Sequence, residues 1–147
     1  MARKPSKRRK QALAEGYASG FELDIAEDLK EKGEDFGYEE QTFELWLPVH
    51  RGHQCAECGH GRVLKRANYT PDFFLSNGII VESKGRFTAL DRRKAMAIVE
   101  QYDVDYRLVF EYDNKLSRSA KQRYSEWCEK QGIKYAIKRV PTEWLSE

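Results

Sequence analysis

Between Thr70 and Gly85 the chain reads TPDFFLSNGIIVESKG. Two short runs of β-branched and aromatic residues flank Ser76-Asn77-Gly78, a tight turn of the hairpin type, so the stretch predicts two antiparallel strands. Side chains alternate along a strand, which puts Ile80, Glu82 and Lys84 on one face and Ile79, Val81 and Ser83 on the other. Asp72 lies on the preceding strand, ten residues before Glu82. Hairpin pairing can set these two carboxylates side by side. A segment that otherwise reads as core therefore brings two carboxylates and an ammonium to one edge of a sheet.

A plain buried ion pair is one reading of Asp72, Glu82 and Lys84. Desolvation offsets most of what such a pair contributes, however, so a core built only for stability rarely gains from one. Two carboxylates with one lysine also leave a net negative charge that calls for a cation. Oxygen donors of this kind suit Mg²⁺ or Mn²⁺, and the constellation fits hydrolysis of a phosphodiester. Pro71-Asp72 followed by Glu82-Ser83-Lys84 is also the spelling of the PD-(D/E)xK nuclease motif.

The rest of the chain is compatible with one domain. Its 147 residues can enclose a sizeable core, and no apolar run approaches the roughly 20 residues of a membrane span. Three cysteines make no disulfide framework, so a reducing, cytoplasmic setting and no membrane partner are expected. Residues 1–16 read as a basic, flexible tail. MARKPSKRRK carries six basic and no acidic side chains (Arg3, Lys4, Lys7, Arg8, Arg9 and Lys10), which leaves residues 11–147 at −4 against an overall +2. Such a run is either a solvated solubility tail or an arm that seeks the phosphates of a polyanion.

From Ser19 a helix is expected, with Phe21, Ile25 and Leu29 at steps of four, Glu22 in capping-box position and Gly33 at its end. YEEQTFELWLPV reads as a strand, NYTPDFFL as a second and GIIVESKG as a third. The helix ALDRRKAMAIVEQY, the strand VDYRLVFEY, the helix SRSAKQRYSEWCEKQGI and the short strand KYAIKRVP follow. This order predicts a mixed sheet with helices on both sides. Arg86, Arg92, Arg93 and Lys94, just after the Glu82 strand, are either DNA phosphate contacts or a solvated helix face. Trp46, Trp127 and Trp144 read as core or interface.

SGFELDIAEDLKEKG, YTPDFFLSNGIIVESKG, DYRLVFEYDNKL and YSEWCEKQGIKYA with VPTEWLSE occur in this order and spacing. Over about residues 17–147 they resemble the phage endonuclease I family, Holliday-junction-resolving enzymes of the PD-(D/E)xK superfamily. The resemblance implies a restriction-endonuclease-like α/β fold in an intertwined, domain-swapped homodimer. It implies catalytic Glu22, Asp72, Glu82 and Lys84, with Asp72, Glu82 and Glu22 holding two Mg²⁺ or Mn²⁺ ions per site. The Glu22 of one chain would complete the site of its partner. From spacing alone Glu22 needs no metal, because a capping glutamate explains it; the resemblance reverses that assignment. The implied activity is paired cleavage that resolves four-way and other branched DNA.

One segment departs from the family. HRGHQCAECGHGRVLKRA holds all three histidines and two of the three cysteines. Cys55-x-x-Cys58 is the spelling of a zinc knuckle, and His53 and His60 (or His50) could complete a structural Zn²⁺ site. A metal-free hairpin tip at about residues 50–66 is the other reading. Arg62, Lys65 and Arg66 could add DNA contacts there. Two rival functions stay open at this level: a sequence-specific or nicking endonuclease of homing or restriction type, and a non-catalytic nucleic-acid-binding protein.

Overall fold

The computed structural model describes residues 4–48 and 64–147. Strands β1 (Phe36–Tyr38), β4 (Phe73–Leu75), β5 (Ile80–Lys84), β6 (Tyr106–Phe110) and β7 (Tyr135–Ile137) form one sheet in the order β1-β4-β5-β6-β7. The first two pairings are antiparallel and the last two parallel, so the sheet is mixed. Strands β2 (Phe43–Pro48) and β3 (Leu64–Tyr69) form a separate antiparallel pair. The molecule is a mixed α/β fold with helices on both faces of the main sheet.

Alternation decides what each face buries. Ile80, Leu108 and Phe110 pack with helices α3 (Ala89–Gln101) and α4 (Tyr124–Gln131) and with the inner face of β2, Phe43, Leu45 and Leu47. Val81 and Val109 face the other way, onto α2 (Gly20–Glu31) and the short α5 (Thr142–Leu145). The α2 stripe Phe21, Leu23, Ile25, Ala26 and Leu29 is wholly buried. At roughly 1.5–3 kcal/mol for each large apolar side chain, this burial is what fixes α2 against the sheet. Ser19 caps α2 as its position predicts, accepting from the Glu22 amide at 3.2 Å.

The β4–β5 hairpin closes at Ser76–Gly78 as expected. The Gly78 amide donates to Leu75 at 3.0 Å, and the φ of +89° at Gly78 suits a residue without Cβ. Phe73 pairs with Val81 and Phe74 with Ile80. Continuing that register sets Asp72 opposite Glu82.

Besides β1 (Phe36–Tyr38), which starts ahead of the expected first strand, three elements differ from the sequence expectation. Residues 7–14, read as part of a flexible tail, form helix α1 (Lys7–Ala14), capped by Ser6 and docked through the fully buried Ala12. NYTPDFFL is not one strand: it breaks around Pro71, so β3 pairs with β2 while β4 joins the main sheet beside β1. Proline has no N–H for a ladder, and the break is where the chain changes sheets. Helix α4 begins only at Tyr124; Arg123 and Lys115 form an isolated bridge before it. No helix among the described residues is long and apolar enough to cross a membrane.

Candidate active site

The hairpin delivers Asp72 and Glu82 into contact. Both are buried, at 8% and 3% exposure. The Asp72 amide donates to Glu82 Oε2 at 3.2 Å. Asp72 Oδ2 accepts from the Ser83 amide at 2.9 Å and from Ser83 Oγ at 2.6 Å. The intervening residue of the Glu-Ser-Lys triplet therefore orients the aspartate through both its amide and its hydroxyl.

Lys84 lies 2.9 Å from Glu82 Oε1 and 3.3 Å from Asp91 Oδ1. Burial works against its charge, but Glu82 and Asp91 overcome it, and the ammonium stays protonated well above the ordinary range. Asp91 is itself fixed, because its other oxygen accepts from the Thr88 amide and hydroxyl, each at 2.8 Å. This is the capping box of α3, so the start of that helix doubles as the second arm holding Lys84.

The two buried carboxylates are also raised, which for an acid favours the neutral form. Burial, then Glu82, then Glu22 raise Asp72 to about 8. Glu82 is raised by burial, against the pull of Lys84 and the Tyr69 phenol. Behind it, Tyr69 and Tyr106 share a hydrogen bond of 2.7 Å between their hydroxyls. The site is thus a pair of buried carboxylates beside one firmly held, partly exposed ammonium.

Glu22 reaches this site electrostatically rather than by contact. Its Oε2 accepts from the Ala18 amide at 3.0 Å and from the Tyr38 hydroxyl. It therefore anchors the turn before α2, one residue earlier than a capping box would, while its charge acts on Asp72. Among the described residues, no three His, Cys, Asp or Glu side chains stand close enough together to ligate one ion.

The basic residues sort into two groups. Arg8 pairs with Asp24 and Glu27 and serves the α1–α2 packing. Arg92 donates to the Phe87 carbonyl at 2.7 Å and lies over the Phe87 ring. Lys94 lies over the Tyr69 ring, and Arg66 is 3.4 Å from Glu44. Lys4, Lys7, Arg9, Lys10, Lys65, Arg86 and Arg93 are exposed and able to meet a polyanion. Arg3, Arg62 and the candidate zinc ligands His50, His53, Cys55, Cys58 and His60 lie outside the described residues. Sequence reasoning missed Asp91, although Thr88-x-x-Asp91 spells a cap, and Ser83, whose role rests on a hydrogen bond across the hairpin.

The fold and the carboxylate–lysine edge define a candidate hydrolase site, and comparison identifies the lineage. The Phage endonuclease I family model matches residues 1–147, and the chain belongs to that family. It is similar to Endonuclease I of Escherichia phage T7, 38% identical over 133 residues that span 89% of this chain and 79% of that protein. It is equally similar to Endodeoxyribonuclease 1 of Enterobacteria phage T3, 38% identical over 134 residues, 89% of this chain and 78% of that one.

Proposed function

We propose that this chain is a divalent-metal-dependent, structure-selective deoxyribonuclease that resolves four-way junctions and other branched DNA by paired phosphodiester hydrolysis. The observation that carries the proposal is the meeting of Asp72, Glu82 and Lys84 at the end of the central strand β5, in a member of the phage endonuclease I family.

The donor set suits a hard cation. Burial first, and then the charges of Glu82 and Glu22, raise Asp72 to about 8, and a bound cation would offset both. Asp72 and Glu82 would hold Mg²⁺ or Mn²⁺, with Glu22 as the further carboxylate whose charge already acts on Asp72. When bound, such an ion makes water a better nucleophile and withdraws charge from the phosphate. Lys84, held between Glu82 and Asp91, presents a fixed positive charge to the same phosphate. Ser83 keeps Asp72 oriented. The products would carry 5′-phosphate and 3′-hydroxyl ends.

Paired cuts require two sites, so the working form is a homodimer, with exchange of elements as the family resemblance implies. The Cys55/Cys58 and His53/His60 group is proposed as a structural zinc site of the inserted segment, tested by metal content of the purified protein. The deciding experiment is cleavage of a four-way junction beside linear duplex of the same arm sequences, with Mg²⁺ and with EDTA. Paired cuts in the junction alone, abolished by EDTA, are expected. Cutting of the linear duplex at one fixed sequence would replace junction resolution with a homing-type activity.

A further inference from the structure

The C-terminal edge of the parallel strands carries a feature that the active site does not use. Lys138, the residue after β7, has a φ of +74°, the left-handed region that a side chain bearing a Cβ rarely adopts. Its amide donates to Phe110 at 2.7 Å, which locks the backbone there. The consequence is specific: the Lys138 ammonium sits 3.5 Å from the centre of the Tyr112 ring. Tyr112 nevertheless remains 55% exposed. A large aromatic held open on the surface, with a cation placed on it by an unfavourable backbone conformation, is not explained by packing.

Its position is informative. Lys84 pairs with Phe110, and Phe110 with Ile137, so Tyr112 and Lys138 follow directly on the strand ends beside Lys84. Strands lie about 4.8 Å apart, so two strands away is about 10 Å, on the order of one to two nucleotide steps from the catalytic edge. The loop from Glu111 to α4 adds exposed Lys115, Arg118 and Lys121 within nine residues of Tyr112 in the chain.

We propose that Tyr112 and Lys138 form a nucleotide-docking platform of the DNA substrate. The phenol ring stacks on a base that branching has unstacked, and the ammonium meets the backbone phosphate next to it. The inference rests on the branched-DNA reading of the Asp72–Glu82–Lys84 site. It adds a specificity device that separates branched from continuous duplex, because only a base freed from its neighbours offers a face to Tyr112.

The test is fluorescence anisotropy in EDTA, comparing a four-way junction and linear duplex of the same arms across a salt series. Tyr112→Ala should weaken junction binding about tenfold and duplex binding less than about twofold, while Tyr112→Phe stays near wild type. Lys138→Gly relieves the left-handed strain, so its melting temperature should hold or rise. It should still lower affinity for both DNAs about threefold and reduce the salt slope by about one. A Tyr112→Ala protein that keeps its junction preference, or a Lys138→Gly protein with wild-type affinity and slope, overturns the platform. If the wild-type protein itself binds both DNAs equally, the branched-DNA reading fails first and the platform falls with it.

Discussion

Two neighbouring strands each bury a charge, and they treat it oppositely. At the start of β6, Arg107 is 2% exposed and is held by Asp105 through bonds of 2.8 and 2.7 Å and by Glu147. Lys134 adds a second cation 3.4 Å from Glu147, so two cations meet two carboxylates. Both acids sit below the ordinary carboxylate range, chiefly through their hydrogen bonds to Arg107. At the end of β5 one cation, Lys84, faces Asp72, Glu82 and Asp91, and the two innermost acids are raised rather than lowered. A charge buried for structure arrives with its balance, and its carboxylates keep a foot in water. The Asp72–Glu82–Lys84 cluster sets two buried carboxylates against one ammonium that stays partly open to solvent, which suits the proposed binding of a cation and a phosphate.

Breaking the unbalanced site should have the largest effect on function. Glu82→Ala is expected to lower Mg²⁺-dependent junction cleavage at least about a thousandfold, since it removes a proposed metal-holding group and the partner of Lys84 together. Junction binding in EDTA should survive. Cleavage that persisted in Glu82→Ala would move the active site elsewhere and end the comparison.

Asp72→Asn sharpens the contrast through stability. The folded-state pKa of about 8 lies above the unfolded value, so the native protein keeps a proton that the unfolded chain has lost. That stabilisation is complete below pH of about 4 and drains away as pH rises towards 8. Thermal unfolding in EDTA should show wild-type stability falling across this window, and the fall should be much smaller in Asp72→Asn. At pH 8 the variant should be the more stable protein, by on the order of a few kcal/mol, while being inactive. Adding Mg²⁺ should raise the wild-type melting temperature more than that of the variant.

What the sequence made legible follows from how local each signal is. Asp72, Glu82 and Lys84 could be placed together because a period of two and a Ser-Asn-Gly turn fix the register of a hairpin within sixteen residues. Helix α2 was equally readable from its apolar stripe and its Ser19 cap. Helix α1 was not, since KRRKQALA offers Ala12 as its one buried residue and its docking depends on Arg8 reaching Asp24 and Glu27. The change of sheet around Pro71 was hidden because strands on either side look alike. Arg107 reads as an ordinary alternating polar residue of a strand. Its burial depends on Trp144 and Glu147, brought from the far end of the chain. Trp46 lies on the outer face of β2 and is exposed in this chain, which leaves it the interface half of the core-or-interface reading.

A smaller effect is expected from the arm that holds Lys84. Asp91→Asn keeps an oxygen for the Thr88 amide, so the capping box of α3 and the melting temperature should be nearly preserved. It removes the charge 3.3 Å from the ammonium. The turnover rate should fall about tenfold, equivalent to about 1.4 kcal/mol, with little change in junction affinity. Equal losses in affinity and turnover would mean that Asp91 acts on binding rather than on the position of Lys84.

The smallest effect belongs to the balanced pair, and it is the control for the rest. Asp105→Ala removes the two-pronged partner of a buried guanidinium, which in a sealed interior would be severely destabilising. Here Asp105 is half-exposed, Glu147 still holds Arg107, and solvent screens what remains. A loss of about 1 kcal/mol in denaturant unfolding is expected, with junction cleavage per folded molecule unchanged. The Arg107 cluster and the proposed Glu82–Lys84 site flank the same β5–β6 pairing, from Ile80 opposite Tyr106 to Lys84 opposite Phe110. If Asp105→Ala also lowered turnover, the two ends would be coupled through that pairing. The balanced cluster would then be part of the catalytic apparatus rather than its structural counterpart.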